Sequence, residues 1–161
     1  MTWIKANVNA SGYYRVNYEP AIWTSLIRVL TTQPTAFSPA DRAQLIDDAF
    51  TLAWYLILFN FLSSFKTEVL IELLIVMFLF LLLRAGVLNI TVPLTLSQYL
   101  VNETEYLPWA TALTHLRKLD TLLSIRTARM SLHCFVRHLV TPLYSILGWT
   151  TKVPHIQRYS A

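Results

Sequence analysis

A block of thirty residues, 54–83, reads WYLILFNFLSSFKTEVLIELLIVMFLFLLL and holds 23 apolar side chains, three charges and neither Gly nor Pro. The sequence on either side is patterned differently. Without the block, Ala53 would join Arg84, and AQLIDDAFTLA would continue into RAGVLNI as one amphipathic run. Ile46, Ala49, Phe50 and Ala53 would then lead to Val87 at the three-and-four spacing of a single helix face. The pattern predicts a helix interrupted in mid-turn by a long apolar helical insert.

The richest part of the block, 69–83, contains fourteen Leu, Ile, Val, Phe or Met residues and one acid, Glu72. Each apolar residue favours bilayer insertion by about 0.3 to 0.6 kcal/mol, against a cost of about 2.5 kcal/mol for a central charge. A span needs about 20 residues, so the candidate transmembrane helix extends over about residues 69–88. A buried helical extension and a segment that drives misfolding are the other two readings. Seams this sharp are what a retained non-coding stretch read in frame would leave, so alternative splicing is an expectation too.

Charged residues make up 14% of the chain, against about 25% in an ordinary soluble domain. A surface this apolar predicts a partner. The net charge of +4 is uneven: from His115 onward seven basic residues face one acid, Asp120. They are spread without Gly/aromatic interleaving, which reads as solvated helix faces. Nucleic acid is therefore not an expected partner, while membrane lipid is a candidate. A lone cysteine, Cys134, excludes an internal disulfide and a multi-cysteine zinc site. Its apolar run, SLHCFV, predicts a buried structural thiol. Three sequons, at Asn9, Asn89 and Asn102, are candidate N-glycosylation sites and favour a secretory ancestry. The N-terminus lacks a signal-like apolar core, so a membrane location would depend on the insert.

Residues 3–18 alternate, are rich in Trp, Ile, Val and Tyr, and carry Asn-Ala-Ser-Gly at the centre. They predict a β-hairpin, with strands at 3–8 and 13–18, closing a sheet whose other strands are missing. From Glu19 the period becomes helical. Pro20 suits a first helical position, and Ile22, Trp23, Leu26, Ile27 and Leu30 share a face. Ser38-Pro39-Ala40-Asp41 is a helix start. Thr91 and Pro93 open a short helix to Leu100. Leu107-Pro108-Trp109 opens another, with Trp109, Leu113, Leu116, Leu119 and Leu123 in a stripe. The last runs from about Arg126 to Leu147, with a kink near Pro142 and a stop at Gly148. The fold class expected is mainly α: a short hairpin, then antiparallel helical hairpins beginning an α-solenoid, interrupted by the insert.

No catalytic or metal motif stands out. HExxH, GxSxG and a phosphate-cradling Gly-rich loop are absent from the sequence. His133 and His138 are five apart, about 140° around a helix, a poor ligand pair. Asp47 and Asp48 diverge on one helix and read as solvated or paired with Arg42 or Arg84. Neither catalytic, cofactor-binding nor metal-binding residues are expected in this chain.

GYYRVNY at 12–18, DRAQLIDDAF at 41–50, YLPW at 106–109 and LGW at 147–149 follow one another at characteristic spacing. Together they resemble the zinc-dependent aminopeptidase N and glutamyl aminopeptidase family of cell-surface gluzincins. The resemblance implies that residues 1–18 end a β-sandwich domain and that 19–161 begin a helical C-terminal domain, with 54–83 foreign to the pattern. It implies a parent activity of removing N-terminal residues from peptides, with zinc in the full-length enzymes. The family's zinc ligands and general base lie upstream of the matching segment. The resemblance thus implies a non-catalytic fragment contributing chamber-wall helices, with an aminopeptidase subunit as candidate partner. The alternatives are a small membrane-inserted protein binding such an enzyme, and a non-functional splice product.

Overall fold

A computed structural model describes residues 3–62, 88–123 and 125–148. Five α-helices dominate the described residues: α1 (Pro20–Thr32), α2 (Pro39–Leu62), α3 (Thr91–Ser97), α4 (Tyr106–Leu122) and α5 (Arg126–Ile146). Single 3-10 turns lie at Val8–Ala10, Pro34–Ala36 and Gln98–Asn102. The long helix α2 is central, packed chiefly against α4 and also against α3 and the Val8–Ala10 turn. Helix α1 lies against Pro34–Ala36, α3 and Gln98–Asn102, and the last of these also carries α5.

Local signals explain the helix boundaries. Pro20 occupies the first turn of α1, where its missing N–H costs nothing. The Ser38 hydroxyl accepts the Asp41 backbone N–H at 3.1 Å and lies 2.9 Å from Asp41 Oδ2, a reciprocal cap at the start of α2. Gly148, at φ 66°, supplies the left-handed residue that ends α5.

One core joins the helices. Trp23, Leu26 and Leu30 of α1 meet Leu45, Ile46, Ala49 and Phe50 of α2, with Leu96, Tyr99 and Leu100 beneath. Trp109, Ala112, Leu116 and Leu119 bring in α4, while Leu132 and Leu139 anchor α5. The expected stripe on α4 is buried at Trp109, Leu116 and Leu119, but Leu113 faces out.

Two parts of the expected fold class are overturned. Among the described residues there is no β-strand, so the hairpin at 3–8 and 13–18 does not form. Asn7, Asn9 and Ala10 all take positive φ, near 55°, which turns the chain too sharply for two extended arms. Asn7 satisfies the loop from its side chain instead. Its Nδ2 donates to the Gly12 and Tyr14 carbonyls at 2.9 and 3.1 Å, and its Oδ1 accepts the Gly12 N–H at 2.6 Å. A two-stranded ladder is marginal in water, and here the segment is pinned to α2 instead.

The apolar insert is the second correction. Helix α2 passes through the expected seam without a break, with Ala53 fully buried and Trp54 packed against the core. Trp54 follows Phe50 by four residues, so the block's first residue extends the stripe that precedes it. No described helix is long and apolar enough to cross a membrane. The candidate span at 69–88 and the rejoined face at Val87 lie outside the described residues, Leu88 excepted.

Candidate functional site

The charged side chains gather where the leading segment, α2 and α4 meet. Adjacent on α2, Asp47 and Asp48 take different partners. Asp47 Oδ1 lies 2.8 Å from His115 Nε2 of α4, and its Oδ2 pairs with Arg15 Nη1. Asp48, buried, accepts the Val16 N–H at 3.2 Å and lies 3.2 Å from the same Arg15 nitrogen. On the far side of the imidazole, Trp54 Nε1 donates to His115 Nδ1 at 3.2 Å. Phe50 stacks flat on the ring, with centroids 5.1 Å apart and planes within 5°.

An indole N–H can only donate, so Nδ1 is the accepting nitrogen and Nε2 carries the proton given to Asp47. Both His115 nitrogens are thereby occupied, one by Asp47 and the other by Trp54. The His115 hydrogen bond, together with Arg15, holds the Asp47 carboxyl down at about 2. Asp48 moves the opposite way: burial pushes it above the usual carboxylate range, against the pull of the Val16 N–H and Arg15. The pair resembles an acid/base dyad only superficially. Both imidazole nitrogens are engaged with protein partners, which leaves neither open to a metal.

Two further ion pairs flank this junction. Lys5 Nζ lies 2.6 Å from Asp41 Oδ1 with both side chains buried, and it also donates to Gln44 Oε1 at 2.7 Å. Burial opposes ionisation of Asp41, yet hydrogen bonds from Lys5, Ser38 and the Asn9 N–H bring its pKa below normal. Arg42 and Glu103 form the other pair, Nε to Oε2 at 2.9 Å, both buried, although the Nε–H direction misses hydrogen-bond geometry. Arg42 also donates to the Pro34 carbonyl at 3.0 Å. Glu103 Oε1 accepts the Thr104 and Glu105 N–H groups at 3.0 Å each, ahead of α4. The buried Tyr99 phenol is pushed up by desolvation and then by the Glu103 charge beside it.

Of the residues singled out by sequence, Asp47 and Asp48 are paired with Arg15, not with Arg42; Arg84 lies outside the described residues. His133 binds Asp120 at 2.8 Å. Cys134, expected to be buried, is exposed, because α5 packs through Leu132 and Leu139 on another face. Asn9, Asn89 and Asn102 are all exposed. Asn9 Oδ1 accepts from Ser38 at 2.8 Å and Asn89 Oδ1 from the Thr91 N–H at 2.9 Å. The zinc that the resemblance implies has no fitting cradle among the described residues, where no three His, Cys, Asp or Glu side chains converge.

The family model described as ERAP1-like C-terminal domain matches residues 3–69 and 54–160. The chain belongs to this family. The two matches overlap at 54–69, inside the apolar block. Aminopeptidase N of Plutella xylostella is 32% identical over 91% of this chain and 12% of its own length. Aminopeptidase A of Gloydius brevicauda is 31% identical over 97% of the chain and 13% of its own length. The thyrotropin-releasing hormone-degrading ectoenzyme of Rattus norvegicus is 33% identical over 92% and 11%. The chain therefore spans about an eighth of the curated relatives it matches.

Proposed function

We propose that the chain acts as a non-catalytic part of a zinc aminopeptidase of the membrane ectoenzyme type, building wall helices of the chamber in which N-terminal residues are removed from peptides. In this reading residues 1–18 lead in from a β-sandwich domain and 19–161 begin the helical domain. Zinc belongs to the full-length enzymes.

The observation that carries this reading is the saturation of His115. Its two nitrogens are taken by Asp47 and Trp54, so the most enzyme-like cluster spends its capacity on joining three segments. Metal-assisted hydrolysis needs a metal-bound water and a placed base. The test is hydrolysis of aminoacyl-anilides by the purified chain, with and without a chelator. No turnover in either condition is expected; chelator-sensitive turnover would overturn the reading.

A second reading, an interaction protein that binds a full-length aminopeptidase, is favoured by a groove of about 800 Å³ between α4 and α5. Trp109, Leu113, Val140, Leu143 and Leu147 line it, with Arg117 and Lys118 among its polar residues. Co-purification with an aminopeptidase, lost in L113D/L143D, would support it. The exposed Asn9, Asn89 and Asn102 fit passage through the secretory pathway; a glycosidase-sensitive mass shift, removed by Asn→Gln at these positions, tests that location.

A further inference from the structure

Two cavities, of about 450 and 800 Å³, open between α4 and α5. Leu113, Arg117 and Val140 line both, so the two are parts of one groove. The groove follows from the way α5 is held. Leu132 and Leu139 anchor that helix in the core, and its main support is the Gln98–Asn102 turn rather than α4. One wall is Leu132, Val136, Val140 and Leu143 of α5, with Leu147 just past its end. Intervals of three and four residues put these side chains on one helix face. From Leu132 to Leu147 that face runs about 22 Å. The opposite wall, Trp109, Leu113 and Leu116 of α4, has the same spacing. Two apolar stripes flanking a furrow are what an amphipathic helix docks into.

Charge narrows the occupant. Arg117 and Lys118 of α4 and Arg137 of α5 line the groove. The one acid lining it, Asp120, is already held by His133 Nε2 at 2.8 Å and Arg129 Nε at 3.2 Å. We propose that the groove docks an amphipathic helix of about four turns whose apolar stripe is flanked by Asp or Glu, which rests on the second reading above, of this groove as an interaction surface. The stripe fills the furrow, and the flanking carboxylates meet Arg117, Lys118 and Arg137. Burial of the stripe supplies affinity, while the charges at the rim select the partner. A second copy of this chain fits less well, because its α5 carries three arginines and no acid to set against those cations.

The probe is a fluorescein-labelled synthetic helix of about 15 residues, with Leu on one face and Glu on both flanks, beside a counterpart with Lys in place of Glu. Fluorescence anisotropy reads binding to the full chain. The Glu peptide should saturate at one per chain, bind about tenfold tighter than the Lys peptide, and weaken as salt is added. R117E sets a like charge against the Glu peptide and should weaken binding by about tenfold. R28E makes the same change of net charge on α1, away from the groove, and should match the wild type. L113D should remove binding of the Glu peptide. Arg28, Leu113 and Arg117 are exposed, so each variant should keep the circular dichroism of the wild type. No binding of the Glu peptide, equal affinity for the two peptides, wild-type affinity in R117E, or a dimer of the chain that occludes the groove would overturn the assignment. Peptide binding with no aminopeptidase co-purified would sink the earlier reading and leave this one standing. Co-purification lost in L113D/L143D, with no binding of the Glu peptide, would do the reverse.

Discussion

Trp54 gives its indole N–H to Nδ1 of His115 at 3.2 Å, joining positions separated by 61 residues. The bond fixes the imidazole tautomer and ties the middle of α2 to α4. Replacing Trp54 with Phe keeps an aromatic ring and removes the donor. W54F should lose about 1 kcal/mol in a urea titration, the net worth of a typical hydrogen bond. Nitrogen NMR should report His115 as the Nε2–H tautomer in the wild type and as a mixture in W54F. A single unchanged tautomer in W54F would show that Asp47 alone orients the ring.

Asp47 sets an acid limb of stability. Its folded pKa is about 2 against 3.8 for the free group, so the folded state binds the proton less tightly than the unfolded one. The contribution is therefore complete above 3.8 and is lost as the pH falls from there toward 2. Asp47 is 40% exposed, so solvent screening reduces it to about 1 kcal/mol. D47N should be less stable than the wild type by that amount at neutral pH, with the gap closing in acid. Asp48, shifted upward, works in the opposite sense, so D48N should not show this convergence. Urea midpoints measured across that pH range distinguish the two.

Helix starts and faces were legible because they depend on neighbours in sequence. Ser38 caps Asp41, Pro20 opens α1, and Ile46, Ala49, Phe50 and Ala53 are all buried as their spacing requires. The hairpin failed for the complementary reason. Alternation at 3–18 describes a half-buried extended segment without saying what buries it, and here Lys5 and Asn7 supply that answer. The seam expected at Ala53 is absent from α2, because the change in hydropathy there coincides with a step from Phe50 to Trp54 that continues the helical stripe. The polar junction was the least legible part. Arg15, Asp47 and His115 lie far apart in sequence, and only packing of the leading segment and α4 on α2 brings them together.

Lys5 and Asp41 test how the leading segment is held. Both side chains are buried, and Asp41 also accepts the Asn9 N–H at 2.7 Å. K5M removes the cation and leaves a buried carboxylate with one fewer donor, a change that costs about 3 kcal/mol or more when a buried charge loses its partner. S38A removes the α2 cap and the Ser38–Asn9 hydrogen bond but leaves the buried Lys5–Asp41 pair in place, and should cost about 1 kcal/mol. Limited proteolysis should cut K5M within residues 3–18 before the helices, whereas S38A should retain the wild-type order of cleavage.

Arg42 and Glu103 pose the sharper energetic question, because desolvation can cancel the attraction of a buried pair. Arg42 leaves the α2 start to reach both the Pro34 carbonyl and Glu103, while Glu103 holds the backbone ahead of α4. R42M strands a buried carboxylate and should cost about 3–5 kcal/mol. In R42M/E103Q the stranded charge is gone, while the amide oxygen can still accept the Thr104 and Glu105 N–H groups. The double variant should therefore recover most of the loss, leaving a deficit of about 1 kcal/mol from the unpaired Pro34 carbonyl. Thermal midpoints of the four proteins close the cycle. A double variant as unstable as R42M would mean that the pair holds α2 to α4 by net attraction rather than by mutual neutralisation.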